Sequence, residues 1–290
     1  GKIIYGDSSG DPAALTVGSN GQALVSDGTD ISWGSAGASA LGGLSDAVTT
    51  ATDNIGIGST ALDSITTGDR NVGLGVSAGT AITTASINTL IGHQAGDAIT
   101  TGGTNAAFGV DALGTNITGT ENTAIGSYSL AVHTVGATVG IGCQALNANT
   151  TGEHNTAVGY NALLLNTTGT ENVAVGKQSL DANTTASYNT AVGRSALTSN
   201  TTGATNTAVG CVAANTSTTA ENVAAFGYQA AQDNTASNIT AIGTNALMEN
   251  TSGADNAAFA HNALKNNTTG GQNVAVGREA LKANTTASEN

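Results

Sequence analysis

The sequence predicts an all-β fold: a parallel β-solenoid (β-roll) of about 14 coils on a 17-residue repeat, behind a small β module. Three observations carry this. The motif Asn-x-Ala-Val-Gly recurs from Asn54 onward, its last position falling at Gly58, Gly75, Gly92, Gly109, Gly126, Gly142, Gly159, Gly176, Gly193, Gly210, Gly227, Gly243, Ala260 and Gly277. Of the 13 spacings, 11 are 17 residues, and those from Gly126 and from Gly227 are 16. A short fixed period with one β-like segment per unit marks a stacked array, because a unit this small cannot bury a core alone. Second, β-branched residues and glycine dominate each unit, which disfavours helix. Third, apolar residues are few but strictly placed, unlike the irregular, highly charged pattern of a disordered chain.

Residues 1–35 lie outside the period. Short β-like runs (Lys2 to Tyr5, Ala14 to Val17, Gln22 to Val25, Ile31 to Trp33) alternate with turn clusters such as Gly6-Asp7-Ser8-Ser9-Gly10, giving a small turn-rich β module. Residues 36–53 form a connector, and the array occupies 54–290.

Aligned on the glycine, each unit reads as strand, glycine corner, short apolar segment and polar turn. The residue before the glycine is large and apolar in all 14 units, as in Val158, Val175 and Phe226. Three residues after it stands Ala, or Ser at Ser129 and Ser179; Leu usually follows, then a turn such as Asn166-Thr167-Thr168-Gly169. Stacking makes each position a column repeating about every 4.8 Å. The large apolar column is expected to form the core, and the Ala/Ser column to mark close approach of chain to chain or sheet to sheet. Two large apolar residues per 17 make a thin core for a lone chain, so an oligomer is expected. Fourteen coils would span roughly 67 Å at 4.8 Å each.

Composition narrows the function. A net charge of −13 with only 7 Lys and Arg disfavours nucleic acid. No apolar run reaches the length of a membrane-spanning helix. Cys143 and Cys211 lie 68 residues apart, roughly 19 Å along the stack at 4.8 Å per coil, too far for a disulfide. There is no nucleophile elbow, His-Glu-x-x-His or phosphate loop, and His93, His133, His154 and His261 fall on distant coils. The expectation is no enzyme, with no catalytic, cofactor-binding or metal residue. The Asn column is read as hydrogen-bonding corner chemistry. Glu121, Glu153, Glu171, Glu221, Asp255 and Glu289 cluster near the turn before it and keep the surface solvated. Residues just past the glycine vary most, so Tyr160, Lys177, Arg194, Tyr228 and Arg278 are the candidate surface contacts.

The pattern Asn-Thr-Ala-Val-Gly-x-x-Ala-Leu, at Asn155 to Leu163 and Asn189 to Leu197, resembles the head repeats of trimeric autotransporter adhesins. With its Asn-Thr-Thr-Gly spacers it looks still more like repeats in tail fibres of tailed bacteriophages. Ile3-Ile4-Tyr5-Gly6-Asp7, Leu15 to Leu24 and Ile31-Ser32-Trp33 resemble a module of phage fibre and virion proteins, and Leu41-Gly42-Gly43-Leu44-Ser45-Asp46 has a similar look. This resemblance implies a left-handed parallel β-roll wound as a homotrimer. It also implies a structural rod in a virion tail fibre that spaces or presents a host-recognition tip. Partners would then be other tail or baseplate proteins, with a host receptor or glycan beyond them. Two other readings compete: the head of a bacterial trimeric adhesin at the cell surface, and an ice-binding solenoid using its Thr pairs. Departures from the pattern are Thr138 in the Asn column, Ala260 in the Gly column, and Asn222 and Asn238, each one residue early, which suggests local bulges. Asn290 opens a fifteenth unit, so further repeats and a non-repeating tip are expected after it.

Overall fold

The computed structural model describes residues 3–6, 12–15, 22–26, 31–35, 47–48 and 53–290. Four short strands come first: β1 (Ile3–Gly6) pairs antiparallel with β2 (Pro12–Leu15), and β3 (Gln22–Ser26) with β4 (Ile31–Ser35). Most of the expected connector lies outside the described residues. Its strand β5 (Ala47–Val48) runs antiparallel to β6 (Ile55–Ile57), so the first coil does not present a bare edge there.

From β6 to β19 (Val274–Val276) the chain forms 14 parallel strands, each hydrogen-bonded to the next in sequence order. This is the β-solenoid the period predicted. Register is one coil per step, as in Thr156↔Val173, Ala157↔Ala174 and Val158↔Val175 between β12 (Thr156–Val158) and β13 (Val173–Val175). Four residues per coil take left-handed φ values, for example Glu171 (56°), Gly176 (136°), Gln178 (57°) and Leu180 (50°). These reversals fold each 17-residue unit into a closed loop without helix. At the glycine corner, a Cβ on Gly176 would stand 2.5 Å from the Gly193 carbonyl oxygen. Coils therefore touch backbone to backbone at this column, and Ala260 holds a similar conformation at φ 111°.

The core is not where residue size placed it. Strands alternate faces, so with Asn172 turned inward, Val173 points out, Ala174 in and Val175 out. Ala157, Ala174 and Ala191 are fully buried, whereas the large column before the glycine is half-buried or exposed, at 39% for Phe226 and Ile242 and 72% for Val276 in the last coil. The interior is filled from the opposite wall by the Ala/Ser column and by Leu163, Leu180 and Leu197. Small strand residues are required because the walls are close: a Cβ on Gly73 would meet Leu62 Cγ at 2.8 Å. The expectation that the Val175 column is the core is thus overturned, and the Ala/Ser column belongs inside the coil.

Exceptions to the repeat conserve volume. Where Gly79 and Gly96 replace Leu, the freed space holds Leu90, Ile82 and Ile99: a Cβ on Gly79 would lie 2.7 Å from Leu90 Cδ1, and one on Gly96 2.8 Å from Ile99 Cδ1. Where Ala214 and Ala231 replace Leu, Val223 and Ile239 take the next Asn positions and are 1% exposed. No bulge accompanies Asn222 or Asn238. The sheet keeps register, and β16 (Val223–Phe226) and β17 (Ile239–Ile242) each gain one residue, because Val and Ile pair through the backbone where Asn would insert its side chain.

Core placement and compensation are testable together by denaturant unfolding. Leu180→Ala should cost about 2–5 kcal/mol, while Thr185→Ala, on the exposed turn, should change stability by less than about 0.5 kcal/mol. Combining Leu180→Ala with Asn189→Val reproduces the pairing of Ala214 with Val223. The double variant should therefore lose less than the sum of its singles.

Candidate functional site

Two side-chain ladders and one open face organise the chemistry of the array. The first ladder is the strand-entry Asn column. Asn172 Nδ2 donates to the Ala186 carbonyl at 2.8 Å, closing its own coil across 14 residues, and to Asn155 Oδ1 at 3.1 Å. Asn155 Oδ1 also accepts from the Asn172 backbone N–H at 2.9 Å, and the pattern repeats up the stack. Asn172 and Asn189 are fully buried. Thr138 stands in for Asn, accepting no ladder amide but donating its N–H to Asn122 Oδ1 at 3.2 Å. Hydrogen-bonding corner chemistry is thus what this column does.

A second ladder starts each Thr-rich turn. Asn183 Nδ2 donates to Asn166 Oδ1 at 2.8 Å and to the Ala186 carbonyl at 3.1 Å. The Thr after it uses both its N–H and its hydroxyl on the neighbouring coil: Thr184 Oγ1 donates to the Thr201 carbonyl at 3.1 Å. The following Thr (Thr168, Thr185, Thr202) is exposed.

His133 occupies an Asn position in the second ladder, fully buried between Asn116 and Asn149. Its Nδ1 lies 2.9 Å from Asn149 Nδ2, an amide donor, so Nδ1 accepts and Nε2 carries the proton. Nε2 and Asn116 Oδ1 are both buried without a partner. Burial pulls the imidazole pKa from 6.5 down to about 4. Its position seven residues after Gly126 assigns it to the Asn column; the sequence reading treated it only as a scattered histidine.

The open face is the outer side of the long sheet, carrying the first and third residues of each three-residue strand and the second and fourth of β16 and β17. Ile55 is 37% exposed, Ile125 38% and Phe259 38%. Of its two columns, the first mixes Thr, Val and Ala, as at Thr156, Val173 and Ala257, and the second, before the glycine, is large and apolar in all 14 coils. Two exposed columns border it. After the glycine corner stand the candidate contacts Tyr160, Lys177, Arg194, Tyr228 and Arg278, which the structure places in one exposed line; Lys177 Nζ sits 5.8 Å over the Tyr160 ring. Cys143 and Cys211, both free, and His93 and His261 share that line. None of its 14 positions is acidic. The opposite border, just before the Asn ladder, holds Asp53, Glu121, Glu171, Asp255 and Glu289, with one cation, Arg70. Glu153 and Glu221 lie one residue further back, also exposed.

Among the described residues no three His, Cys, Asp or Glu side chains gather where they could hold a metal ion. Among the described residues no helix is long and apolar enough to cross a membrane. Comparison with family models, curated proteins and solved structures gave no match.

The buried imidazole makes stability pH-dependent with a defined sign. With its folded pKa depressed, His133 is neutral when folded while the unfolded chain binds a proton below pH 6.5. Its contribution is present above 6.5 and is lost as pH falls toward about 4, amounting to roughly 3 kcal/mol. His133→Asn, which restores the ladder, should remove that part of the acid sensitivity in unfolding curves measured between pH 7 and 4.

Proposed function

We propose that this chain is a structural rod of the tail-fibre type, associating as a homotrimer and spacing or presenting a host-recognition tip in a virion. The observation that carries the reading is the combination of a uniform solenoid with an unpartnered apolar face along its whole length. Most coils repeat the same two ladders, interrupted at Ile65, Ile82, Ile99, His133 and Ser217 in one and at Thr138, Val223 and Ile239 in the other, so the chemistry is devoted to building length. The exposed Ile, Val and Phe column is a large apolar surface that water penalises and a second surface would cover. Resemblance of the repeat and of the N-terminal segments to phage fibre sequences supports the same role. Partners on this reading are the other copies, neighbouring tail or baseplate proteins and a host receptor or glycan.

A bacterial adhesin head would use the same architecture; nothing in the array favours it over the fibre. Ice binding has weaker support, since one Thr of each pair spends its hydroxyl on the adjacent coil, leaving a single outward Thr column.

Light scattering and electron micrographs of the purified protein test the proposal. The expected result is a species of three 28.1 kDa chains in rods whose solenoid part is roughly 65 Å long. A stable, compact monomer would overturn it.

A further inference from the structure

We infer that the turn carrying His133 is an acid-operated opening in the solenoid: protonating the imidazole releases residues 130–138 from the stack while the coils on either side stay folded. The device lies within one chain and needs no partner, so it stands apart from the rod reading.

The second ladder beyond His133 is a chain of amides with a single direction. Asn200 Nδ2 donates to Asn183 Oδ1 at 3.1 Å, Asn183 to Asn166 at 2.8 Å and Asn166 to Asn149 at 2.7 Å. Asn149 Nδ2 then reaches the imidazole Nδ1 at 2.9 Å. Each of these four amides also donates to the carbonyl three residues on, at Gly203, Ala186, Gly169 and Gly152. Both hydrogens of every amide are thus committed. None can turn its oxygen toward His133 without setting that oxygen against a carbonyl. The chain therefore needs an acceptor at its foot, which neutral imidazole supplies. Imidazolium has none, and it sets N–H against N–H.

The added charge finds no partner either. His133 is fully buried, and what acts on its ring is burial and the main chains of Gly136 and Asn149. Of the other ionisable groups on its own and the adjoining coils, Asp111 is half-buried, and Glu121, Tyr128, Cys143, Glu153 and His154 are exposed. None acts on the imidazole, so protonation is relieved by carrying the ring out to water.

The turn around His133 is built to let go. Elsewhere one turn donates two or three backbone N–H groups to the next: Thr100, Thr101 and Gly102 to the Ile117 carbonyl, Thr150 and Thr151 to that of Thr167. Residues 117–119 make no such bond to Thr134, where the 16-residue coil begins its turn. Two bonds join these turns instead, Asn116 Nδ2 to the Val135 carbonyl at 3.3 Å and Ala137 N–H to the Thr120 carbonyl at 2.9 Å. His133 Nε2 and Asn116 Oδ1, both buried, add nothing. The other 16-residue coil is an internal control. Residues 218–220 lack the same backbone bonds, but Ser217 Oγ donates to the Asn234 carbonyl at 2.7 Å. There Asn234 Oδ1 accepts from Asn250 Nδ2 at 2.6 Å, and mild acid does not remove that acceptor. Both short coils share the slack, and one of them carries a titratable acceptor.

Peptide-resolved hydrogen–deuterium exchange on the intact chain at pH 7 and pH 5, corrected for intrinsic exchange rates, tests this. A solvated imidazole at 6.5 and a buried one at about 4 imply an open population roughly twentyfold larger at pH 5. Protection at His133, Thr134 and Ala137 should fall by that factor. Protection at Asn234 and Thr235, and at Thr100 to Gly102 and Thr150 to Thr151, should stay within about twofold. In His133→Asn, which places in the column the residue found at Asn116 and Asn149, the response at 130–138 should vanish. Protection lost evenly along the array, unchanged protection at 130–138, or an undiminished response in the variant would each overturn the inference. If His133→Asn does not fold at pH 7, His133→Ser takes its place, since the column carries Ser at Ser217.

Discussion

A coil of 17 residues with four left-handed reversals must satisfy backbone groups that regular secondary structure cannot reach, and the buried asparagine ladder satisfies them. Each ladder amide donates to a carbonyl at the far side of its own coil, and each ladder oxygen accepts a backbone N–H from the coil above. An amide is one of the few side chains able to donate and accept at once without carrying charge. Aspartate would lack the donor, and leucine would orphan both buried backbone groups. The fixed period follows. Inserting a residue between the strand and the turn would misalign both ends of the bond, whereas the turn itself tolerates deletion. Both 16-residue units are shortened between the second-ladder position and strand entry, at His133 to Thr138 and at Asn234 to Ile239.

The interior obeys a second constraint, conservation of volume between facing walls. The strand wall carries Ala because the opposite wall supplies Leu, and substitutions on one wall are matched on the other. Val223 and Ile239 show the two constraints meeting: filling the space left by Ala214 and Ala231 removes two ladder amides. The local response is a longer strand, which converts side-chain hydrogen bonds into backbone ones. A ladder can therefore be interrupted by apolar residues more safely than by His133, whose bulk and single usable acceptor leave Nε2 and Asn116 Oδ1 stranded.

Much of this was legible in the sequence, because a repeat makes physics visible as columns. Period, strand positions, parallel stacking and the role of asparagine all followed from spacing. The error lay in the faces. Val175 was assigned inside because it is large, yet with Asn172 buried, alternation alone puts Val173 and Val175 outside and Ala174 inside. Asn was treated as a corner residue and not as the inward anchor of the register, and the remaining assignments inherited that choice. Left-handed φ at Leu180 and its equivalents has no sequence signal, since Leu rarely adopts it. The candidate surface residues were found by their variability, and the structure aligned them on one border without deciding what they touch.

That variability has a structural origin. Columns inside the coil are fixed by hydrogen bonding and volume, and the glycine column by contact between backbones, so sequence freedom is confined to positions facing water. Freedom alone would scatter charge at random among those positions. Here the post-glycine column takes three of the six described Lys and Arg and no acid from a chain of net charge −13. The column across the same sheet face takes acids at Asp53, Glu121, Glu171, Asp255 and Glu289 and a single cation, Arg70. Separating opposite charges by the width of a face costs a lone chain the chance to pair them.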